Sequence, residues 1–166
     1  MQPFKIHILG CGSATPTLHH YPTSQIVEIN GKIYQSANGT LVGKTLDGFK
    51  GTIKKIAEEG PCVIVGRCAD YALEEMDNVV SVFVHAPLEK RAARVAEYEK
   101  IDMAAAKKLA LQNDKKRASY YNYYSNKKWG DGATYDLCVN TGKVGIYGAA
   151  EIIKNYVIMK ESRMEF

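Results

Sequence analysis

The run Cys62-Val-Ile-Val65, closed by Gly66, constrains this chain more than any other stretch. Its apolar residues are consecutive rather than alternating, so a strand made from them must bury both faces, and such strands belong to parallel sheets covered by helices on each side. In open sheets of that kind the ligand crevice lies beyond the carboxyl ends of the strands. Arg67 and Asp70 come directly after this strand, which makes them candidate substrate-binding residues. The plainer alternative for the pair is a turn carrying a surface ion pair.

The rest of the pattern agrees with an α/β class. Val79–Val84 and Leu137–Val139 are further short apolar runs, and Phe4–Leu9 alternates well enough to be a first strand. Between the runs, apolar residues recur at helical spacing: Ile53, Ile56 and Ala57; Leu88, Ala92 and Val95; and Ile146, Ala150, Ile153 and Val157. Asp102 is placed to cap a long helix reaching about Tyr124, and Pro87 suits the first turn of the helix before it. Helices are therefore predicted near 52–59, 88–99, 103–124 and 145–157, with a short one over 71–76 and a frayed end after Lys160. The 166 residues, 46% of them hydrophobic, suffice for one domain with a sizeable core.

The net charge of +4 is modest but unevenly spread. Lys107, Lys108, Lys115, Lys116, Arg117, Lys127 and Lys128 are opposed only by Asp114, and a local basic strip of this kind suits an anionic ligand. The 4 cysteines show neither zinc spacing nor the framework of a disulfide-rich secreted domain. The amino terminus lacks a signal-peptide pattern, and no run approaches the length of a membrane span, so the chain is expected to be cytoplasmic and away from membranes.

Two glycine-rich loops approach the pattern of a phosphate cradle without meeting it, and a plain loop is the alternative reading of each. Gly10-Cys-Gly12-Ser13 follows the first predicted strand, but Pro16 and the residues around it make a poor helix behind it. Gly39-Thr-Leu-Val-Gly43-Lys44-Thr45 falls one residue short of G-x-x-x-x-G-K-[ST], and no clear apolar strand is predicted before it. Loop length matters because successive N–H groups must curl around one phosphate. Gly10, Gly12, Ser13, Lys44 and Thr45 are the candidate ATP-binding positions.

Arg91 and Arg94, three apart on one helix, point together and suit phosphate oxygens, although such pairs are often merely solvated. On the long helix, Lys107, Asp114, Arg117 and Tyr121 share a broad face, bringing a carboxylate and cations together. Tyr120, Tyr121, Tyr123 and Tyr124 follow, and aromatics beside cations could stack nucleic-acid bases or cover a nucleotide.

Lys5-Ile-His-Ile-Leu-Gly-Cys-Gly-Ser-Ala-Thr-Pro-Thr17, Thr23-Ser-Gln-Ile-Val27 and Gly31-Lys-Ile-Tyr34 together resemble the opening of ribonuclease Z, a metallo-β-lactamase-fold hydrolase. That family holds its metal with an H-x-H-x-D-H motif. Here His7, His19, His20 and His85 include no such set, so no metal site is expected from them.

From about Ile53 to Tyr156 the chain resembles the cytidylate-kinase-like family of P-loop nucleotide kinases. The resemblance is carried by Gly60-Pro-Cys-Val-Ile-Val-Gly-Arg-Cys-Ala-Asp-Tyr71, Val82-Phe-Val-His-Ala-Pro-Leu88 with Arg91, Asp114-Lys-Lys-Arg-Ala-Ser-Tyr-Tyr-Asn-Tyr-Tyr124, Lys128-Trp-Gly130 and Tyr135-Asp-Leu-Cys138. It implies a three-layer α/β/α fold with a mostly parallel sheet, of the P-loop nucleotide-kinase type, and transfer of the γ-phosphoryl of ATP, with Mg2+, to a nucleoside monophosphate such as CMP. By the same resemblance Arg67 and Asp70 lie against the acceptor, Arg91 and Arg94 begin a mobile lid, and Asp114 and Arg117 reach the phosphates from the lid helix.

The amino-terminal part is atypical, because the ribonuclease-Z-like segment stands where the family has its strand, phosphate loop and helix. The expected organisation is an opening segment over 1–34 that is not a complete domain, followed by a kinase-like domain over 35–160 that lacks a clear P-loop. The alternative function is an RNA-binding module using the Lys/Tyr strip over 107–128.

Overall fold

Strands β1 (Lys5–Leu9), β2 (Ile26–Ile29), β3 (Lys32–Ser36), β4 (Cys62–Val65), β5 (Val79–His85) and β6 (Leu137–Asn140) form one sheet in the order β2-β3-β4-β1-β5-β6. The structure is a computed structural model, and it describes residues 5–9, 26–29, 32–36, 46–66 and 68–164. Apart from the antiparallel β2–β3 pair, every pairing is parallel. The run at 62–65 and the run at 79–85 are parallel, as expected, but they are not neighbours. β1 lies between them, with Ile6 opposite Val63 on one side and Val80 on the other.

Helices α1 (Leu46–Glu59), α2 (Ala69–Ala72) and α5 (Thr141–Met164) pack on this sheet, while α3 (Leu88–Glu99) and α4 (Met103–Ser125) pack on one another. Side chains alternate across a strand, and the two faces are filled accordingly. Val80, Val82 and Val84 of β5 join Val63 and Val139 against Ala149, Ile153 and Val157 of α5. On the other face Cys62, Ile64 and Val79 meet Ile53 and Ala57 of α1 and Ala69, Ala72 and Leu73 around α2. Farther along that face Phe83 meets Tyr121 and Tyr135. Val80, Val82 and Val157 are fully enclosed, each stabilising the fold by about 1.5–3 kcal/mol.

Several boundaries and faces depart from the sequence reading. The short helix expected over 71–76 is α2, earlier and only one turn long, followed by a turn. The stripe of α5 is Ala149, Ile153 and Val157, whereas Ile146 and Ala150 are exposed. Gly145, at φ 74° and ψ 179°, interrupts the helical phase just before Ile146. The end of α5 continues past Lys160, whose Nζ donates to Val79 O at 2.8 Å and so holds the last turns against the sheet.

Ala92 and Val95 do not join the clusters packed on the sheet. They pack on Ala106 of α4, so α3 and α4 form a helical hairpin with its own apolar seam. Asp102 caps α4 as expected, accepting from Ala105 N at 2.9 Å. A strand, β3, does precede the second glycine-rich loop, and α1 begins at the residue after Thr45. β3 carries Lys32, Tyr34 and Gln35 among its apolar residues, which hid it from an apolar-run criterion. Among the described residues, no helix is long and apolar enough to cross a membrane.

Candidate functional site at the carboxyl edge of the sheet

Because β4, β1, β5 and β6 are parallel, the segments that leave them emerge along one edge. After β1 the chain goes to one side of the sheet, and after β4 it crosses β1 to reach β5 on the other side. That reversal of direction is where α/β sheets open a crevice.

The turn leaving β4 is tightly made. Gly66 sits at φ 73°, a region that glycine enters without steric cost, and Cys68 follows at φ 51°, where a side chain is uncommon. α2 then begins, and Ala72 N donates to Cys68 O at 3.0 Å. Arg67 lies outside the described residues, as do Gly10, Gly12, Ser13, Lys44 and Thr45.

After β5 the hairpin brings three of its four predicted site residues together. Arg91 Nη1 contacts Asp114 Oδ1 at 3.0 Å and Oδ2 at 2.8 Å, while Arg91 Nε donates to Ala86 O at 3.0 Å. The side chains of Arg91 and Asp114 are only 13% and 21% exposed, so this pair is largely desolvated. Arg117 Nη1 stands 3.7 Å from Asp114 Oδ1. Arg94, half-buried on α3, makes no ion pair among the described residues. Arg91 is thus committed to the hairpin, whereas Arg94 and the outer donors of Arg117 remain available for an anion.

Asp70 is turned inward. It is 6% exposed, and its Oδ2 accepts from Tyr121 Oη at 2.6 Å, while Oδ1 has no hydrogen-bond partner among the described residues. Burial pushes its carboxyl above the usual range, and the Tyr121 hydrogen bond and the Lys127 charge only partly oppose this. Burial, and then the Asp70 charge, push the Cys68 thiol up to about 12. Burial together with the Asp70 hydrogen bond also raises Tyr121, which therefore remains a protonated donor.

Sequence reasoning treated the tyrosines as one exposed strip, and the structure separates them. Tyr121 is 3% exposed and stacks 6.3 Å from Tyr135, which in turn stacks 5.0 Å from Phe83. Tyr120 and Tyr124 are half-buried, and Tyr123 alone among these four is fully open, at 78%. A base-stacking platform made of all four is therefore not present.

Also missed was the junction where α5 starts against α3. Gly142 N donates to Asn140 Oδ1 at 3.0 Å, Lys90 Nζ donates to Gly142 O, and a Cβ on Gly142 would run into the Pro87 ring. Gly142 directly after a strand was the available signal. A cleft of about 500 Å³ is lined by Asp70, Leu73, Ser81, Lys127, Asp136 and Lys160, among others. Asp70 is the one predicted site residue among the residues that line it.

Comparison with known proteins agrees with this arrangement. The model of the cytidylate kinase-like family matches residues 31–143, more than half of the chain. The chain belongs to the cytidylate kinase-like family. It is 36% identical over 99 residues to the cytidylate kinase of Thermococcus sibiricus, covering 59% of this chain and 50% of that one. To the cytidylate kinase of Methanocaldococcus jannaschii it is 29% identical over 105 residues, covering 62% and 59%.

A crystal structure of an uncharacterized protein from Eubacterium ventriosum superposes with a TM-score of 0.67 at 35% identity, over 71% of this chain and 67% of that one. The amino-terminal stretch is separately similar to ribonuclease Z of Porphyromonas gingivalis, 56% identical over 34 residues. Those residues are 20% of this chain and 11% of that enzyme. The match to the cytidylate kinase-like family thus spans β3 to β6 and the hairpin between β5 and β6.

Proposed function

We propose that this protein is a phosphotransferase that moves the γ-phosphoryl group of ATP to a nucleoside monophosphate such as CMP, on a three-layer α/β/α fold of the P-loop nucleotide-kinase type. The observation that carries the reading is the cluster of Arg91, Asp114 and Arg117, with Arg94 beside it, on a helical hairpin that leaves the carboxyl edge of the sheet. Phosphoryl transfer demands chiefly positioning and positive charge around the phosphate oxygens, and an arginine-lined lid supplies both.

In this reading Arg94 and Arg117 meet phosphate oxygens, Asp114 orients Arg117, and Arg91 ties the two lid helices. Arg67 lies against the acceptor, and Asp70 supports the same turn from beneath. β1 lies inside the sheet, between β4 and β5, and Gly10, Gly12 and Ser13, which follow it in sequence, are the first candidate for the ATP phosphate loop. Lys44 and Thr45, between β3 and α1, are the second candidate for that role.

Residues 1–34 then contribute strands to the sheet of the kinase-like domain over 35–160 and are not a domain of their own. ATP supplies the transferable phosphoryl group and, with Mg2+, the charge neutralisation it needs. Among the described residues, no group of three or more His, Cys, Asp and Glu could hold a metal ion. This fits a magnesium ion held mainly by phosphate oxygens and water. The protein works in the cytoplasm, where both nucleotides are at hand. RNA binding has less support, since Tyr121 is committed to the core.

Calorimetric titration of ATP and CMP, separately and into the same preparation, tests the reading. Saturable CMP binding that weakens at least tenfold in Arg94→Ala is the expected result. Absence of binding by every nucleoside monophosphate would refute it. Magnesium-dependent ATP binding lost in Gly12→Val assigns the first loop, and loss in Lys44→Ala assigns the second.

A further inference from the structure

α3 and α4 bury their apolar faces on one another, through Ala92, Val95 and Ala106 with Ile101 and Leu109, and this seam includes no strand residue. The hairpin is therefore held to the body at its two ends. One is Pro87, just after β5, and the other is the last part of α4, where Tyr121 and Ser125 are buried. At that second end Tyr121 packs in one apolar cluster with Phe83 and Tyr135, its ring 6.3 Å from that of Tyr135, and apolar contact of this kind is less directional than a hydrogen bond.

The hydrogen bond from Tyr121 Oη to Asp70 Oδ2, 2.6 Å long and buried, is directional, and it joins α4 to α2, just after the turn leaving β4. The nearby link between Lys127 and Glu74, at 3.3 Å, is exposed and correspondingly weak.

Tyr121 shares a helix face with Arg117, one turn away, and with Asp114, about two turns away. Whatever sets the rotation of α4 at Tyr121 therefore sets where those two groups point. A group about 6 Å from a helix axis moves about 1.6 Å when the helix turns by about 15°. A misplacement of about 1 Å at a reacting centre lowers rates on the order of 100-fold.

We propose that the Asp70–Tyr121 hydrogen bond is the anchor that registers the α3–α4 hairpin over the carboxyl edge of the sheet. Asp70 is on this account a positioning residue that acts through Tyr121 on Arg117 and Asp114, and not a ligand of the acceptor. The inference deepens the phosphotransferase reading and rests on it only for what Arg117 meets.

The hydroxyl and the carboxyl can be tested separately from that reading. Spin labels are placed at exposed positions, Leu111→Cys on α4 and Ile152→Cys on α5, in a chain carrying Cys11→Ser and Cys138→Ser, and the interlabel distance distribution is measured. Tyr121→Phe should shift or broaden it by about 2 Å or more, because the seat has lost its directional contact. Asp70→Asn, which keeps an acceptor for the hydroxyl, should leave it as in the parent. Coincident distributions for the parent and Tyr121→Phe overturn the anchor, and circular dichroism of both variants checks that a changed distribution does not come from unfolding.

Turnover of CMP with ATP supplies the second readout. Tyr121→Phe should lower kcat about 10- to 100-fold when Arg117 is present and less than about twofold in an Arg117→Ala background, since coupled residues lose their effect when the partner is gone. Asp70→Asn should stay within about threefold of the parent, because it still accepts the Tyr121 hydrogen bond. A large rise in KM for CMP in Asp70→Asn with a silent Tyr121→Phe makes Asp70 a direct ligand and overturns the proposal. A parent chain that neither binds nor turns over nucleotide removes the phosphotransferase reading, and the label distances then decide the anchor alone.

Discussion

Asp114→Ala is the substitution whose cost is best bounded by the geometry. Arg91 reaches Asp114 at 2.8 and 3.0 Å, and the two side chains are 13% and 21% exposed. Breaking a fully buried pair by removing one partner costs about 3–5 kcal/mol, because the other charge is left without compensation. Here part of that cost is relieved. Arg91 Nε keeps its bond to Ala86 O, and water reaches the residual exposed surface. A loss of about 2–3 kcal/mol is therefore expected, which for a chain of this size lowers Tm by roughly 5–10 °C.

Replacing both members, Arg91→Met with Asp114→Leu, removes the stranded charge as well and should return the protein to within about 1 kcal/mol of the parent. The assay is urea unfolding of the parent, both single variants and the double variant, with hydrogen exchange over 88–118 to show that the loss is in the hairpin. An Asp114→Ala variant within about 0.5 kcal/mol of the parent would refute the reasoning, since it would mean that the pair is effectively solvated. Every one of these variants should lose phosphoryl transfer, so stability and activity separate in the double variant.

Gly142→Ala should destabilise the fold by about 1–3 kcal/mol in urea unfolding, although alanine ordinarily favours a helix, because the new Cβ meets the rigid Pro87 ring and lies 3.0 Å from Asn140 Oδ1. Asp70 binds its proton more tightly in the folded chain than at its ordinary value of 3.8, so the unfolded state releases that proton first as pH rises. Stability therefore falls from about pH 4 upward through the raised folded value, and Asp70→Asn should become more stable relative to the parent over that interval in pH-dependent melts. Among the described cysteines, Cys138 is exposed while Cys62 and Cys68 are buried, and the Cys68 thiol is pushed up to about 12. Iodoacetamide at pH 8 should accordingly modify Cys138 in the native protein and reach the other two only after unfolding, as read by peptide mass spectrometry.

The runs at 62–65 and 79–84 were legible in the amino-acid sequence because they are short and dominated by β-branched apolar residues, and α3 and α4 because capping and spacing are local properties. Those local signals suffice for an α/β class and for bringing Arg91, Arg94, Asp114 and Arg117 onto consecutive helices. The order of the strands lies beyond them, because parallel neighbours are joined through crossovers and the sequence carries no mark of adjacency. Only the assembled sheet puts β1 between β4 and β5.

The tyrosines show the same division at the level of a single face. Tyr120, Tyr121, Tyr123 and Tyr124 are spread around the helix at about 100° per residue, so no periodicity distinguishes the one that is to be buried. Phe83, Tyr135 and Asp70, contributed by distant parts of the chain, make that choice by offering Tyr121 an aromatic seat and a buried acceptor. Local chemistry thus determined β4, β5, α3 and α4, whereas long-range packing decided which side chains became the core and which were left facing the site.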